Sequence, residues 1–287
     1  MPKQNLESMM RASPFKSLLF VPASRLDLAE RAHQRGADAI ILDLEDGVAE
    51  ADRPAARETL GALLEGLRRT GTHALVRINA LDNGGVMDIE AIPDTFTPPL
   101  LIPKVTDPSQ MLSVEQCWQS SGKGLSTLQL LPMIECPSGL FRAEQIASAT
   151  HSVSALVFGS EDFAAQAGLS TEIEALTMPA QWLALAAAAA RIPAYGLPGS
   201  LGNYHNLELF EATLQRAKTV GYSGSLCVHP KQVLLANSVF KASDQDIKWA
   251  EAVIAQAGSG GATGGDVGMV DAPILARAQA ILADAEY

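Results

Sequence analysis

Two short apolar runs decide the fold, SLLFVPA at 17–23 and AIILDLED at 39–46. A helical pattern separates them, and each run leads into polar or charged residues. A strand followed by a helix gives this pattern, and a nearly continuous apolar strand is typical of a parallel sheet that is covered on both faces. The unit recurs along the chain, and the eight predicted strands are Ser17–Ala23, Ala39–Asp46, His73–Asn79, Leu100–Val105, Leu128–Glu135, Ala155–Asp162, Pro193–Leu197 and Ser225–Pro230.

Eight strand–helix units predict a TIM (β/α)8 barrel, which we place at residues 14–240. The alternative is a doubly wound open sheet, but no glycine-rich phosphate loop follows the first strand. One predicted helix, Pro179–Ala190, is apolar almost all round and is therefore expected to be buried. The other predicted helices are Arg25–Arg35, Pro54–Leu67, Pro108–Ser120, Ser138–Ala149 and Leu207–Val220.

Residues 241–287 are predicted to form a helical extension of the barrel. A helix over Ser243–Ala257 leads into a glycine-rich stretch, Gly258–Gly268, which is typical of a flexible linker. The last helix, Ala272–Ala285, carries apolar residues along one face. Such a helix needs a surface to cover, so we expect a tethered lid over its own barrel or over that of a neighbour.

Composition excludes several classes of protein. The chain has 287 residues, 47% of them hydrophobic, and a formal net charge of −11. Without a block of Lys or Arg, this charge argues against binding to nucleic acid or to an anionic membrane surface. Three widely spaced cysteines suggest neither a disulfide framework nor a zinc site. The absence of a signal-like segment and of a run of about 18 apolar residues predicts a cytoplasmic protein.

Carboxylates stand at the ends of two neighbouring predicted strands. Glu135 ends the fifth strand, and Asp162 ends the sixth after Glu161. Because adjacent barrel strands place their ends side by side, Glu135 and Asp162 can offer oxygens to one hard cation, and Mg²⁺ suits two carboxylates with several waters. The other interpretation is that these carboxylates are solvated loop acids or helix caps.

Arg77 ends the third strand, next to the acidic end of the second. Its guanidinium can hold a substrate carboxylate or stabilise an enolate oxygen, or it can form a structural ion pair with Asp43 or Glu45. Both roles are compatible, because an acidic partner also orients the arginine. Glu45 and Asp46 can orient water or Arg77, although like charges this close can instead raise one pKa.

Several cationic residues complete the candidate site. Lys104 ends the fourth strand and permits a Schiff-base aldolase, but its acidic neighbours favour the ammonium form, so we expect an electrostatic role. His229, at the end of the eighth strand, is either a general base or a structural residue. Lys16, Arg25 and Arg31 are predicted to supply a local cationic patch for an anionic ligand.

The ordered set of motifs resembles the HpcH/HpaI aldolase superfamily, in particular the group of citrate lyase beta subunits and malyl-coenzyme A lyases. The motifs that carry the resemblance are KSLLFVPASR, GADAIILDLEDGV, ADRPAAR, VRIN, LIPKV, MIECPSGL, VFGSED, SGSLCVHPKQV and GMVDAP. They span nearly the whole chain in the expected order. The resemblance implies a TIM barrel, commonly a trimer or hexamer, that uses Mg²⁺ for retro-Claisen cleavage of a 3-hydroxyacyl-CoA thioester into an acyl-CoA and a 2-oxo acid.

The resemblance also assigns roles to residues. The acid of the tail motif would reach the active site of a neighbouring subunit, which gives the linker a purpose as the tether of a lid. The implied roles are Glu135 and Asp162 as metal ligands, Arg77 as the holder of substrate oxygens, Glu45 and Asp46 as an acidic pair beside it, Arg25 with its cationic helix facing the CoA phosphates, and Asp271 as the tail acid.

Alternatives remain at this stage. The chain can be a citrate lyase beta subunit that acts on a citryl thioester of an acyl carrier protein, or a malyl-CoA thioesterase with the same site. A Schiff-base aldolase through Lys104 and a binding protein on a degraded barrel are further alternatives. One departure from the family pattern bears on the acyl substrate, because Gly196 stands at about the place where many members carry an aspartate.

Overall fold

The structure is a computed structural model that describes residues 15–125, 127–258 and 268–285. Within these residues eight parallel strands form one sheet. They are β1 (Ser17–Pro22), β2 (Ala39–Asp43), β3 (His73–Arg77), β4 (Leu100–Ile102), β5 (Leu130–Ile134), β6 (Leu156–Phe158), β7 (Ala194–Tyr195) and β8 (Ser225–Cys227).

The sheet is a nearly closed barrel, which confirms the predicted fold class. Its order is β7-β6-β5-β4-β3-β2-β1-β8. A parallel bridge between Tyr195 and Gly224 brings the two ends of this order together. All eight carboxyl ends therefore lie at one face of the molecule, and the loops after the strands surround it.

Helices follow the strands as expected for a (β/α)8 barrel. They are α1 (Leu26–Ala29), α2 (Arg53–Arg69), α3 (Gly85–Ala91), α4 (Ser109–Ser120), α5 (Pro137–Phe141), α6 (Ala143–Ala147), α7 (Ser160–Ala167), α8 (Ile173–Ala190), α9 (Leu207–Thr219), α10 (Pro230–Phe240), α11 (Asp244–Gly258) and α12 (Ala272–Ala285).

Two predicted helices are broken in the structure. The first is only four residues long as α1 and continues as a 3₁₀ turn, Ala32–Arg35, which ends at Gly36 in the left-handed conformation. The second, predicted over Ser138–Ala149, is divided into α5 and α6 at Arg142. The strands are also shorter than predicted at their carboxyl ends, so most of the polar residues assigned to strands lie in the following loops or helices.

Alternating residues of each strand build two layers of core. In β2, Ala39 and Ile41 face the barrel interior, whereas Ile40 and Leu42 face the helices. The interior layer also contains Tyr195 and Met133. The three cysteines are free thiols, two of them buried and Cys117 half-buried.

The prediction that α8 is buried all round is wrong on one face. Leu176, Ala180 and Leu183 are buried, but Trp182 and Leu185 on the opposite side are 49% and 65% exposed. By length and composition alone, α8 is long and apolar enough to cross a membrane. Its buried face packs on β6 and β7, as in a helix that covers the sheet of a barrel.

Helices α11 and α12 pack against each other and have a core of their own. Ala250, Val253, Val270 and Ala278 form this core, which is separate from the two barrel clusters. These two helices follow α10, which ends at Phe240. Most of the predicted glycine-rich linker, residues 259–267, lies outside the described residues.

Candidate active site

Arg77, the last residue of β3, is held by a buried bidentate ion pair. Its Nε lies 2.6 Å from Asp43 Oδ1, and its Nη2 lies 2.7 Å from Asp43 Oδ2. Asp43 in turn accepts the backbone amides of Glu45 at 2.9 Å and Gly47 at 2.8 Å. The guanidinium also lies over the ring of Phe20. Both predicted roles of Arg77 are therefore compatible, because the ion pair fixes the guanidinium while Arg77 still lines a cavity.

Glu45 lies buried between two cations. Its Oε1 accepts a hydrogen bond from Lys104 Nζ at 2.6 Å. Its Oε2 lies 2.9 Å from Arg77 Nη1, an ion-pair distance without the angles of a hydrogen bond. Burial raises the pKa of Glu45, and the charges of Arg77 and Lys104 oppose that rise. Asp46 lies 3.2 Å from the same Nη1, but its side chain is 57% exposed, so it is the member of the acidic pair that is open to a ligand.

Lys104 contributes through its backbone as well as through its side chain. Its ammonium is occupied by Glu45, which raises the pKa of Lys104 and keeps it charged. Its backbone is left-handed, with φ of 55°, a conformation that residues other than glycine rarely adopt. In this conformation the Lys104 amide donates to Glu135 Oε2 at 2.6 Å. One residue therefore connects Glu45 to Glu135.

Glu135 follows β5 directly and is 1% exposed. Burial, together with the nearby charges of Glu45 and Asp162, raises the pKa of Glu135 to about 8. The backbone at Gly159 approaches it closely, since an added Cβ would lie 2.8 Å from Glu135 Oε1. Asp162 is half-buried and lies in the first turn of α7, not at the end of a strand as predicted.

Glu135 and Asp162 fit a Mg²⁺ site in which the protein supplies only some of the ligands. The charge of Asp162 contributes to the raised pKa of Glu135, and a divalent cation would neutralise this local excess of negative charge. Among the described residues no group of three or more His, Cys, Asp or Glu side chains is arranged to enclose a metal ion. The two carboxylates therefore leave most of the positions around such an ion to water and substrate.

Several of these groups line one cavity of about 480 Å³ at the carboxyl ends of the strands. Its polar lining includes Arg77, Glu135 and Asp162, and its apolar lining includes Phe20 and Leu201. A larger groove of about 680 Å³ lies at the opposite end of the barrel and is lined mainly by Ser, Thr and Ala residues before β5, β6 and β7. We assign the chemistry to the smaller cavity, because the charged groups converge there.

The predicted cationic patch is divided between the two ends of the barrel. Arg25 and Arg31 flank α1 and are exposed, and Arg25 pairs with Asp27 at 2.9 Å. Lys16 precedes β1, and its backbone amide donates to Asp38. Since β1 has six residues, Lys16 lies roughly 20 Å from Arg25. The prediction that Lys16 joins this patch is wrong for that reason.

The last two predicted residues act as helix caps. His229 caps α10, and its Nδ1 accepts the amide of Lys231 at 3.1 Å, which agrees with a structural role. Burial and the neighbouring cations lower the pKa of His229. Asp271 caps α12, and its Oδ1 accepts the amide of Ile274 at 3.1 Å.

Sequence reasoning missed a buried network that supports the acidic loop. Asp88 is fully buried and accepts from Asn79 Nδ2 at 2.8 Å and from Arg57 Nε at 2.7 Å. Asn79 Nδ2 also donates to the carbonyl of Leu44 at 2.8 Å, between Asp43 and Glu45. The only signal in the sequence is Asn79 itself, two residues after Arg77 and at the end of the VRIN motif.

The backbone at Gly196 excludes a side chain at this position. Its φ is +129°, and an added Cβ would lie 2.9 Å from the carbonyl oxygen of Phe158. The neighbouring Tyr195 is 2% exposed and fills the barrel interior. The backbone conformation of this chain therefore leaves no room for an acidic side chain at position 196.

Fold and site together define a barrel enzyme whose cavity opens at the carboxyl ends of the strands. The chain matches the family model described as HpcH/HpaI aldolase/citrate lyase over residues 16–230. The chain belongs to this family, as its motifs indicated.

Named relatives cover nearly the whole chain. A (3S)-malyl-CoA thioesterase of Cereibacter sphaeroides is 32% identical over 92% of this chain and 90% of that protein. An L-malyl-CoA/beta-methylmalyl-CoA lyase of Rhodobacter capsulatus is 30% identical over 93% of each. Among solved structures, CitE of Mycobacterium tuberculosis in complex with magnesium, acetoacetate and coenzyme A has 26% identity and a TM-score of 0.74, over 96% of this chain and 100% of that one.

Proposed function

We propose that this protein is a Mg²⁺-dependent carbon–carbon lyase that cleaves a malyl- or citramalyl-type 3-hydroxyacyl-CoA thioester into an acyl-CoA and a 2-oxo acid. One observation carries the proposal: Glu135, Asp162 and the anchored Arg77 line the same cavity. The names of the malyl-CoA relatives and the ligands of the solved CitE complex support it.

The residues around the cavity suit this chemistry. Glu135 and Asp162 would hold Mg²⁺, which supplies Lewis acidity at the oxygens of the 2-oxo acid half. Arg77 is fixed by Asp43 and would stabilise the negative charge of the enolate that forms on the thioester half. A base must take the proton of the hydroxyl group, and we assign this role to Asp46 or, from a neighbouring subunit, to Asp271.

The remaining assignments follow the family pattern. Arg25 and Arg31 would face the phosphates of CoA, and the exposure of both side chains leaves them accessible to such a ligand. Lys104 would act on substrate only through charge, because Glu45 occupies its ammonium. We propose a cytoplasmic homo-oligomer, a trimer or hexamer, in which α12 of one subunit covers the cavity of the next.

Two alternatives use the same site. Hydrolysis of the thioester is favoured by the identity with the malyl-CoA thioesterase. Action as a citrate lyase beta subunit on a carrier-protein thioester is favoured by the likeness to CitE. Products separate them: the lyase releases a 2-oxo acid from a free CoA thioester, the thioesterase releases free malate, and the citrate lyase subunit is inert toward free CoA thioesters.

The experiment is a panel of CoA thioesters assayed for release of 2-oxo acid. We expect EDTA to abolish activity and Mg²⁺ to restore it. We expect Glu135→Ala and Asp162→Ala to lose Mg²⁺ binding in calorimetry, whereas Glu144→Ala, on the exposed face of α6, leaves both unchanged. Full activity of the wild type without metal would overturn the proposal.

A further inference from the structure

Helix α8 exposes an apolar face that its own barrel does not cover. Met178, Trp182 and Leu185 are 64%, 49% and 65% exposed, although the opposite face of the helix packs on β6 and β7. Their spacing of four and three residues places them on one line along the helix. Ala189 continues this line four residues further on and is also exposed. The apolar line therefore runs over about three turns of α8.

Phe141, at the end of α5, widens this face beyond the helix. It is 71% exposed, and its ring meets that of Trp182 edge-on, with the centroids 6.1 Å apart. We call Phe141, Met178, Trp182 and Leu185 the α8 patch. An aromatic side chain has roughly 150–250 Å² of surface, so four large apolar side chains that are about half exposed or more present several hundred Å². A contiguous patch of this size that contains two aromatic rings is typical of an interaction surface.

The charge of this surface indicates what covers it. No charged residue occurs from Ala175 to Ala190, so the exposed face of α8 is neutral over nearly its whole length. The chain as a whole has a formal charge of −11, so two copies repel each other when their charged surfaces approach. Contact through α8 avoids this repulsion. An anionic membrane surface is a poorer match, because α8 offers no Lys or Arg to its lipids.

The α8 line is complementary to itself about a two-fold axis at Trp182. Met178 and Leu185 lie one turn to either side of Trp182, so antiparallel packing of two α8 helices sets Met178 of one copy beside Leu185 of the other. Glu174 is exposed one turn before Met178. Antiparallel packing keeps the two copies of this acid roughly 24 Å apart along the helix axis, whereas parallel packing would place them side by side.

We propose that the α8 patch is an interface between two copies of this chain, related by a two-fold axis near Trp182. A stable interface buries about 800 Å² per partner around an apolar centre, and the patch supplies that centre. The contact uses a different helix from the α12 contact proposed above, so the two are compatible. A trimer built through α12 would become a hexamer in which two trimers meet through α8.

The test measures the mass of the protein in solution by light scattering. No substrate is present, so the outcome is independent of the proposed lyase activity. We expect the wild type to contain an even number of subunits. Trp182→Glu should halve the mass, because the loss of a two-fold contact separates the assembly into two equal parts and leaves any other contact intact. Leu185→Glu should do the same, and it serves even if circular dichroism shows that Trp182→Glu does not fold.

Leu234→Glu is the matched control, because this leucine of α10 is 69% exposed and lies outside the α8 patch. It should keep the mass of the wild type. An odd number of subunits in the wild type, an unchanged mass in the folded α8 variants, or an equal loss of mass in the control would overturn the inference. So would a fall to single subunits from a wild type larger than a dimer, because the patch would then close a ring. Binding of the wild type, but not of Leu185→Glu, to phosphatidylcholine vesicles with no change in mass would assign the patch to a membrane instead.

Discussion

Lys104 shows how a single residue serves the site through its backbone conformation. At φ of 55° any side chain is strained, by roughly 1–2 kcal/mol relative to glycine. Lys104→Gly and Lys104→Ala both remove the ammonium from Glu45, but only the glycine variant relieves the strain. We expect Lys104→Gly to be more stable than Lys104→Ala by about 1 kcal/mol in urea unfolding, with reduced activity in both.

Arg191 provides the control for this comparison. It is exposed, caps α8 and has a φ of 59°. Arg191→Gly and Arg191→Ala should differ in stability by a similar amount while activity stays at the level of the wild type. Equal stabilities of the two Lys104 variants would contradict the argument from backbone strain.

Glu135 makes the stability of the metal-free protein depend on pH. Its pKa rises from 4.5 to about 8 in the folded state. Between these two values the folded protein binds more protons than the unfolded chain, so stability is full below pH of about 4.5 and falls as pH rises toward about 8. The slope is at most about 1.4 kcal/mol per pH unit.

Urea unfolding in EDTA between pH 5 and 8 measures this slope. Glu135→Gln, which cannot ionise, should flatten it, and Mg²⁺ should flatten it in the wild type, because the cation favours the ionised carboxylate. Identical slopes for wild type and Glu135→Gln would show that another group is responsible.

At the scale of elements, the turn from β6 into α7 brings the two candidate metal ligands together. Gly159 occupies this turn, and an added Cβ would lie 2.4 Å from Glu135 Cγ. Because Glu135 is buried, the clash cannot be relieved by moving its side chain into solvent. We expect Gly159→Ala to lose about 1–3 kcal/mol of stability and to bind Mg²⁺ more weakly in calorimetry.

Gly66 is the matched glycine for this test. It lies within α2, where an added Cβ would meet no atom within 4 Å. Gly66→Ala should therefore be neutral or stabilising by up to about 1 kcal/mol, with unchanged Mg²⁺ binding. If Gly159→Ala had the same stability and Mg²⁺ affinity as Gly66→Ala, the close approach of Gly159 to Glu135 would affect neither property.

The elements also show what sequence can predict here. All eight strands were predicted because several of them are nearly continuous apolar runs and each leads into a helical pattern, as in a buried parallel sheet. The carboxyl ends of the strands were predicted too far along the chain, because a residue such as Asp162 is equally suited to a strand end and to the first turn of a helix. The left-handed backbone of Lys104 and the buried network of Asp88 depend on contacts distant in sequence, and no local pattern encodes them.

At the scale of the whole molecule, α11 and α12 form a unit with its own core. Its tail acid, Asp271, immediately precedes α12. If this acid completes the cavity of a neighbouring subunit, then one active site combines Glu135 of one chain with Asp271 of another. Glu135→Ala and Asp271→Ala would each be inactive alone.

Mixing these two variants tests the arrangement. When subunits exchange at random, about one quarter of the sites receive a native residue from both chains. We therefore expect activity to return to about one quarter of the wild-type value after exchange, measured as release of 2-oxo acid. Glu135→Ala and Asp162→Ala should not complement each other, because one subunit supplies both residues to a given site. If the Glu135 and Asp271 variants also fail to complement after proven exchange, α12 serves its own barrel or none.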